Sequence, residues 1–358
     1  NISESSLEAY GQYPWPRQNH AAVISDLRNA NAGMIGFTIM FPEADRFGGD
    51  EIFGSWINGN GIILAQDADE NGRSTKAPYV GYATFGYSGD ILDLTYRYKG
   101  LVTNIEELEK HAWGVGLLNG APEVDNQTRR IPLMSQVNGN VYPSFALETV
   151  RALQNKKSYT VKLNESGIES IILRPFIIPT DERGSIWLKW NTHFGSYNYG
   201  EPLPDLEGKT VIIGVTAKGI APQITTPAGL LYPHQLQANA LQTIISDSPI
   251  SRPQWTEMAE IGLILIGSLL IVLSVYYLPI LIGLVSFVGS AAAVSYASYY
   301  AWYEFSILLD LSASLIIYIL LLTSASFNNF YKQFVLRQQI KKQFGTYVSP
   351  DLVKQLQK

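Results

Sequence analysis

Apolar positions follow two rhythms along this chain. Up to residue 252 they come in short runs and helical spacings broken by polar turns, and beyond residue 260 they become nearly continuous. The segments 261–278, 279–300 and 305–323 each approach the ~20 apolar residues that a helix needs to cross a hydrocarbon core. No Lys or Arg stands between Arg252 and Lys332. Three membrane spans are therefore expected, at about 259–278, 279–300 and 305–325, joined by bends too short to hold a domain.

Charge orients these spans. Lys332, Arg337, Lys341 and Lys342 follow the third span with no acidic residue among them, whereas Glu257 and Glu260 accompany the single Arg252 ahead of the first. The positive-inside bias places the tail in the cytoplasm and the large N-terminal region outside. No export signal is visible in that region, so a preceding signal anchor is expected upstream.

Within the N-terminal region, residues 20–31 space Ala22, Val23, Leu27 and Ala30 at helical intervals, and the unbroken apolar run 34–41 follows. A helix feeding a buried strand is the reading. The alternation recurs: a short apolar run at 61–65, a helix at 105–111, a strand at 113–118, and a helix at 144–153 with Ser144 as its cap. Strands are expected at 159–163, 185–190 and 209–215, then a helix at 235–245 and a linker at 247–253. Strands alternating with helices predict an α/β domain with a mixed, mainly parallel sheet.

Composition adds exclusions. The chain has 46% hydrophobic and only 16% charged residues, as expected when a soluble domain is averaged with a membrane bundle. Zero cysteines rule out disulfides, thiolate metal sites and cysteine nucleophiles. A net charge of -5 with dispersed basic residues gives no reason to expect nucleic acid as a partner. His20, His111, His193 and His234 lack short metal-ligand spacing. Gly208, Lys209 and Thr210 imitate the end of a phosphate loop, but Leu203 occupies the leading glycine position and the segment enters a strand, which makes it a turn.

Trp15, Arg17, Asp45, Arg46, Asp125, Arg129 and Arg130 form the shortlist for ligand binding, because they fall in loops at strand ends, where open α/β sheets hold small ligands. The same residues could instead fix those loops by pairing with one another. In the third span Ser306, Asp310, Ser314 and Tyr318 recur every four residues as a polar stripe, expected to meet the small-residue face Ser286, Gly289, Ser290, Ala293 and Ala297 of the second and to couple the helices. An ionised Asp at mid-membrane costs ~2.5 to 3.5 kcal/mol on insertion scales, which favours an inward-facing Asp310. Past the membrane, Phe327, Phe330 and Phe334 step at helical spacing before Leu336, Ile340 and Phe344 resume on a shifted stripe. Such a helix could pair with its twin or lie on anionic lipid. Ser349 and Pro350 read as the start of another helix.

Several ordered segments resemble a known family. Tyr13 to Arg17 with His20, the run 35–41 with Glu43 and Asp45, Asp125 with Arg129 and Arg130, Tyr142 to Glu148, the run 184–188, the run 208–214 with Thr216, and Thr226 with Pro227 look like a CHASE2 domain, the extracytoplasmic sensor of bacterial receptors. Ser3 and Thr38 stand where that family often carries Asp, Gln237 where His is common, and His234 where Gly is common. The tail from Phe344 and Gly345 through Tyr347 to Pro350 is similar to the lead-in of class III adenylate or guanylate cyclases that carry this sensor. The resemblance implies an α/β extracytoplasmic sensor over 1–252, a three-helix transmembrane bundle over 253–326, and a cytoplasmic transducing helix over 327–358, with Phe330, Phe334, Phe344, Gly345, Tyr347 and Pro350 in the transducing stretch.

It further implies a homodimer in the bacterial inner membrane, in contact with lipid and with an unidentified external ligand or protein, and controlling adenylate cyclase. ATP and Mg or Mn would belong to a catalytic domain beyond this chain, with no cofactor in the chain itself. The alternative is a non-enzymatic membrane module whose outer domain binds another protein as a scaffold.

Overall fold

The structure, a computed structural model, describes residues 1–347 other than Arg73, Thr75, Pro122, Thr192, His193, Asp247 and Ser248. His193, Ser349 and Pro350, named above, lie outside the described residues. The chain divides into two units, Asn1–Ser251 and Arg252–Lys358.

The first unit opens with α1 (Glu4–Tyr10) and α2 (Arg17–Asn29), then alternates β1 (Met34–Phe37), α3 (Asp50–Ile57) and β2 (Ile62–Asp69). Short elements follow: β3 (Gly81–Gly86), α4 (Ile91–Leu94), β4 (Tyr96–Tyr98), β5 (Gly100–Val102), α5 (Glu106–Glu109) and β6 (Gly114–Leu117). β7 (Arg130–Pro132), β8 (Met134–Val137), β9 (Asn140–Pro143) and α6 (Phe145–Leu153) precede β10 (Ser158–Asn164), β11 (Gly167–Leu173), β12 (Phe176–Pro179) and β13 (Ser185–Trp187). β14 (Thr210–Ile213), β15 (Ile224–Thr226), β16 (Gly229–Leu231) and α7 (Pro233–Ile245) close the unit.

The expected mainly parallel sheet is present. Its strands run β14, β1, β2, β6, all parallel, and the far half of the long β2 pairs antiparallel with β5. All four residues of β1 are buried, as a parallel strand covered on both faces requires. Ile35, Phe37, Ile62, Leu64, Val115 and Ile213 pack on one face with Ile24 of α2, Phe53 of α3 and Leu108 of α5. Met34, Ile63 and Ala65 face the other way, onto Phe145 and Ala152 of α6. The alternation of strand residues between two helical layers follows from their two-residue period. Close approach of α6 requires glycine beneath it: a Cβ on Gly36 would meet the Phe145 ring, and one on Gly116 its backbone.

Serine 144 caps α6 as its sequence position indicates, its Oγ accepting from the Leu147 N–H at 3.2 Å. Leu147 and Val150 of α6 then join Leu236, Ala240 and Ile244 of α7 over a second sheet. That sheet, ordered β12, β11, β10, β3, is antiparallel except where β3 joins β10. The segment at 208–210 is the turn expected of it, since Thr210 begins β14 and the Lys209 carbonyl accepts from the Gly33 N–H.

The second unit consists of α8 (Trp255–Tyr277), α9 (Ile280–Phe305) and α10 (Ser312–Tyr347), each long and apolar enough to span a membrane. Ile271, Val275, Val294, Tyr318 and Ala325 form its core. The third helix begins at Ser312 and not near 305 as its apolar run suggests, because α9 continues to Phe305 and ends at Ser306 in a left-handed conformation, φ 52°. Past the membrane-spanning length, α10 stays unbroken through Tyr347, and the shift in its aromatic stripe leaves no break in the backbone.

Candidate functional site

The ligand-binding shortlist falls into two groups. In the first, Trp15 is 2% exposed and packs among Tyr10, Tyr13, His20 and Tyr199. Arg17, at the start of α2, reaches the Asp50 carboxylate at 3.2 Å and the Glu43 carbonyl at 2.9 Å, with its guanidinium 4.5 Å from the centre of the Phe41 ring. The Asp45 carboxylate accepts from the backbone N–H groups of Arg17, at 3.1 Å, and of Gly49, at 3.0 Å. Burial alone would raise the Asp45 carboxyl, but these donors and the charge of Arg17 hold it below its ordinary value. Asp45 thus satisfies the first turn of α2 from 28 residues away, where Pro16 at the cap position offers no side-chain oxygen. Arg46 is exposed.

In the second group, Arg129 bridges Glu123 at 2.8 Å and Asp125 at 2.7 Å. Arg130 joins Glu123 at 3.2 Å and Asp181 at 2.9 Å, and lies over the Trp187 ring. Hydrogen bonds from Arg129 hold the Asp125 carboxyl below its usual range. Three carboxylates therefore surround two guanidiniums, so an incoming anion would have to displace partners already in place. These contacts tie loops together, and the groups serve different places: one the entrance of α2, the other the β7 and β13 ribbon.

The strand ends between β1 and β14 mark where the sheet reverses its winding: β1 leads through α3 to β2 on one side, and β14 leads to α7 on the opposite face. Here Ile2 extends the sheet beside Val215, the Ser3 Oγ accepts from Ser6 N–H at 3.4 Å, and the Thr38 hydroxyl donates to the Ile213 carbonyl at 2.9 Å. The first closes local backbone, and the second ties the end of β1 to β14. His234 in the first turn of α7 packs against Gly214, where any Cβ would strike its ring. Burial pushes His234 down to about 4 and His20 to about 3, leaving both rings neutral. Gln237 crosses between elements, its side-chain oxygen accepting from Ala146 N–H and its nitrogen donating to the Leu118 carbonyl, each at 3.2 Å.

A buried ion pair has no counterpart in the sequence reading. Glu148 is fully buried, and Arg151 binds it through Nε at 2.9 Å and a terminal nitrogen at 2.8 Å. Arg151 also donates to the carbonyls of Trp113 at 2.7 Å and Lys156 at 2.5 Å, and the Tyr159 hydroxyl donates to Glu148. Burial pushes the Glu148 carboxyl up against the pull of Arg151. The i,i+3 spacing within a predicted helix was the available signal. The network joins α6, β10 and the entrance to β6.

In the membrane unit the four-residue stripe is half lost. Ser306 and Asp310 precede α10, while Ser314 and Tyr318 lie buried within it. The Asp310 N–H donates to Glu260 at 2.8 Å, and its carboxylate accepts from the Ser312 N–H at 2.8 Å and hydroxyl at 2.7 Å. Those Ser312 donors hold the Asp310 carboxyl below its usual value. Glu260 also pairs with Arg252 at 2.9 Å. An Asp carboxylate bonded to the N–H two residues on offers the backbone an alternative to helix, so helical spacing does not carry back through Asp310 to Ser306. The Tyr318 hydroxyl turns to α8, donating to the Leu263 carbonyl at 2.5 Å with its ring against Gly267; of the small-residue face of α9, Ser290 is buried while Gly289 and Ala293 are exposed. Phe330 and Phe334 are 67% and 50% exposed on α10, stacked at 6.3 Å. Phe344, Gly345 and Tyr347 belong to the α10 backbone.

Compared with known families, residues 1–273 match the CHASE2 domain. No curated protein and no solved structure matches the chain.

Proposed function

The chain belongs to the CHASE2 domain family, and from that premise we propose that it is the sensing and transmitting half of a receptor controlling a class III adenylate cyclase. Its role is sensory and signalling. The family match runs to residue 273, inside α8, so sensor and membrane entrance belong to one unit of descent. The observation that carries the transmitting role is α10. Its 36 residues make a rod of ~54 Å at 1.5 Å per residue, against a hydrocarbon core of ~30 Å. The excess carries Lys332, Arg337, Lys341 and Lys342 beside the exposed Phe330 and Phe334. A continuous helix of this kind transmits a rotation or displacement from the membrane to whatever follows it.

The basic stretch after the third span supports a cytoplasmic tail and an outside sensor, in a bacterial inner membrane. The tail's resemblance to a cyclase lead-in supports cyclic nucleotide synthesis as the output, from ATP with Mg or Mn in a catalytic domain, and two copies as the working assembly. Arg17, Asp45, Asp125, Arg129 and Arg130 of the shortlist tie the sensor's loops together, and a ligand acting there would do so by exchanging their polar partners. ATP turnover by the intact gene product, with and without residues 1–251, tests the reading. Cyclic AMP whose rate changes when the sensor is removed supports it; an intact product carrying no cyclase fold, or an unrelated domain after residue 358, leaves a membrane scaffold in its place.

A further inference from the structure

We propose that the open edge of β3 is a dimerisation strand, which pairs antiparallel with β3 of a second copy in the register that sets Thr84 opposite the partner's Thr84. The proposal rests on the reading that two copies meet in the membrane, and it assigns the outer domain its own contact.

Among the described residues β3 is bonded on one side only, to β10, and all six of its residues are exposed. Natural sheets protect such edges with Lys, Pro, bulges or covering segments. The opposite edge strand of this sheet, β12, is bounded by Pro175 and Pro179. β3 itself holds neither Lys nor Pro. Residues 77–89 contain no charge, and Tyr82, Phe85 and Tyr87 stand 37%, 46% and 55% exposed. A neutral, aromatic, unpaired edge on a domain exposed to water calls for a strand beside it.

Backbone direction restricts how that strand can dock. Tyr87 donates its N–H to the Leu163 carbonyl of β10 at 3.1 Å. The N–H and C=O of one residue point to the same edge, and successive residues alternate. Ala83, Phe85 and Tyr87 therefore direct their backbone groups into the sheet, while Tyr82, Thr84 and Gly86 direct theirs outward. An antiparallel partner must match outward residues with outward residues.

One two-fold register uses the whole strand, the one centred on Thr84. It sets Tyr82 opposite the partner's Gly86, Phe85 opposite the partner's Ala83, and Tyr87 opposite the partner's Gly81. Every exposed aromatic then covers a residue with little or no side chain, and the two threonines meet at the centre, where cross-strand Thr pairs hydrogen-bond. A two-fold interface must be complementary to itself, and this sequence is. No charge faces a like charge. These features select a second copy of the chain over a strand of unrelated sequence. Confinement to one membrane raises the effective concentration of the two copies, so that a short interface suffices.

Cysteine cross-linking in membranes tests this on the full chain, which has no native cysteine. The hydrogen-bonded pair at the centre has Cα atoms ~5.5 Å apart, within disulfide reach. Under mild oxidant Thr84→Cys is expected to give dimer on the order of tenfold faster than Ile177→Cys on the other edge. Ala83→Cys mixed with Phe85→Cys should form the heterodimer faster than either forms its own homodimer. An unchanged thermal midpoint of the reduced Thr84→Cys chain verifies the fold. Equal rates at Thr84 and Ile177, with no preference for the mixed pair, overturn strand pairing and leave the edge to a different protein. Cross-linking through Phe330→Cys in the same membranes keeps the two-copy reading when Thr84 fails; failure at both positions ends both.

Discussion

Asp45 shows how one carboxylate holds a helix entrance that its own neighbours cannot cap. Its folded value is depressed, so the stabilisation is complete above the unfolded value of ~3.9 and is lost as pH falls through the folded one. Asp45→Ala should cost about 1 kcal/mol at neutral pH, by loss of the bonds to Arg17 and Gly49. The gap from the parent should close as pH falls through the depressed folded value. Urea midpoints across that range are the check, and a gap independent of pH would assign the effect to packing. The Glu148 and Arg151 pair lies deeper. Arg151→Met leaves a carboxylate buried without its guanidinium, at a cost of about 3 to 5 kcal/mol. In that variant the Glu148 value is raised in the fold, so the deficit is smallest at acidic pH and grows as pH rises through the raised value. Adding Glu148→Leu should recover much of the loss, since no charge is then stranded; a double variant as unstable as the single one would argue against electrostatics as the cause.

At the scale of elements, α8 and α10 are held together by a close approach at Gly267. A Cβ there meets the Tyr318 ring. In an isolated helix Gly267→Ala is worth up to about 1 kcal/mol in its favour. In this bundle the same change should separate α8 from α10 and lower the thermal midpoint in detergent, with Tyr318→Ala added to relieve the collision. A midpoint that rises with Gly267→Ala alone would mean that the helices do not touch there. Asp310 acts at the start of α10 through Ser312 and joins α8 through Glu260. Asp310→Asn keeps an acceptor for Ser312, whereas Asp310→Leu keeps none. Basal output of the intact receptor should therefore shift with Leu and much less with Asn, at equal membrane abundance. Unchanged output from both would limit Asp310 to holding the helix end.

For the whole molecule the expected assembly is a parallel pair, with α10 meeting its twin along Phe330 and Phe334. Single cysteines at those positions should cross-link in membranes, and absence of any product from a folded chain would exclude pairing along α10. How much of this was open to sequence reading depends on the range of the physics. Membrane crossing is a sum over about 20 consecutive side chains against a slab of fixed thickness, so the three apolar helices and their basic flank were legible, though not the start of the third. The same holds for α2, β1, α6 with its Ser144 cap, and α7, whose burial has a local period. The shorter α3 was missed, and so was β3, whose residues are exposed on both faces and carry no alternating signal. Partnership was decided only in three dimensions. Asp45 finds Arg17 across 28 residues, Arg130 finds Asp181 across 51, and Tyr318 finds Leu263 across 55. Asp310 lies off its predicted stripe, ahead of α10, where its carboxylate accepts from Ser312 and its N–H donates to Glu260. Spacing along a chain states which face a residue occupies. Which group waits on the other side follows from the order β14, β1, β2, β6 and from the antiparallel packing of helices, because a contact's energy depends on distance in space and not on separation in sequence.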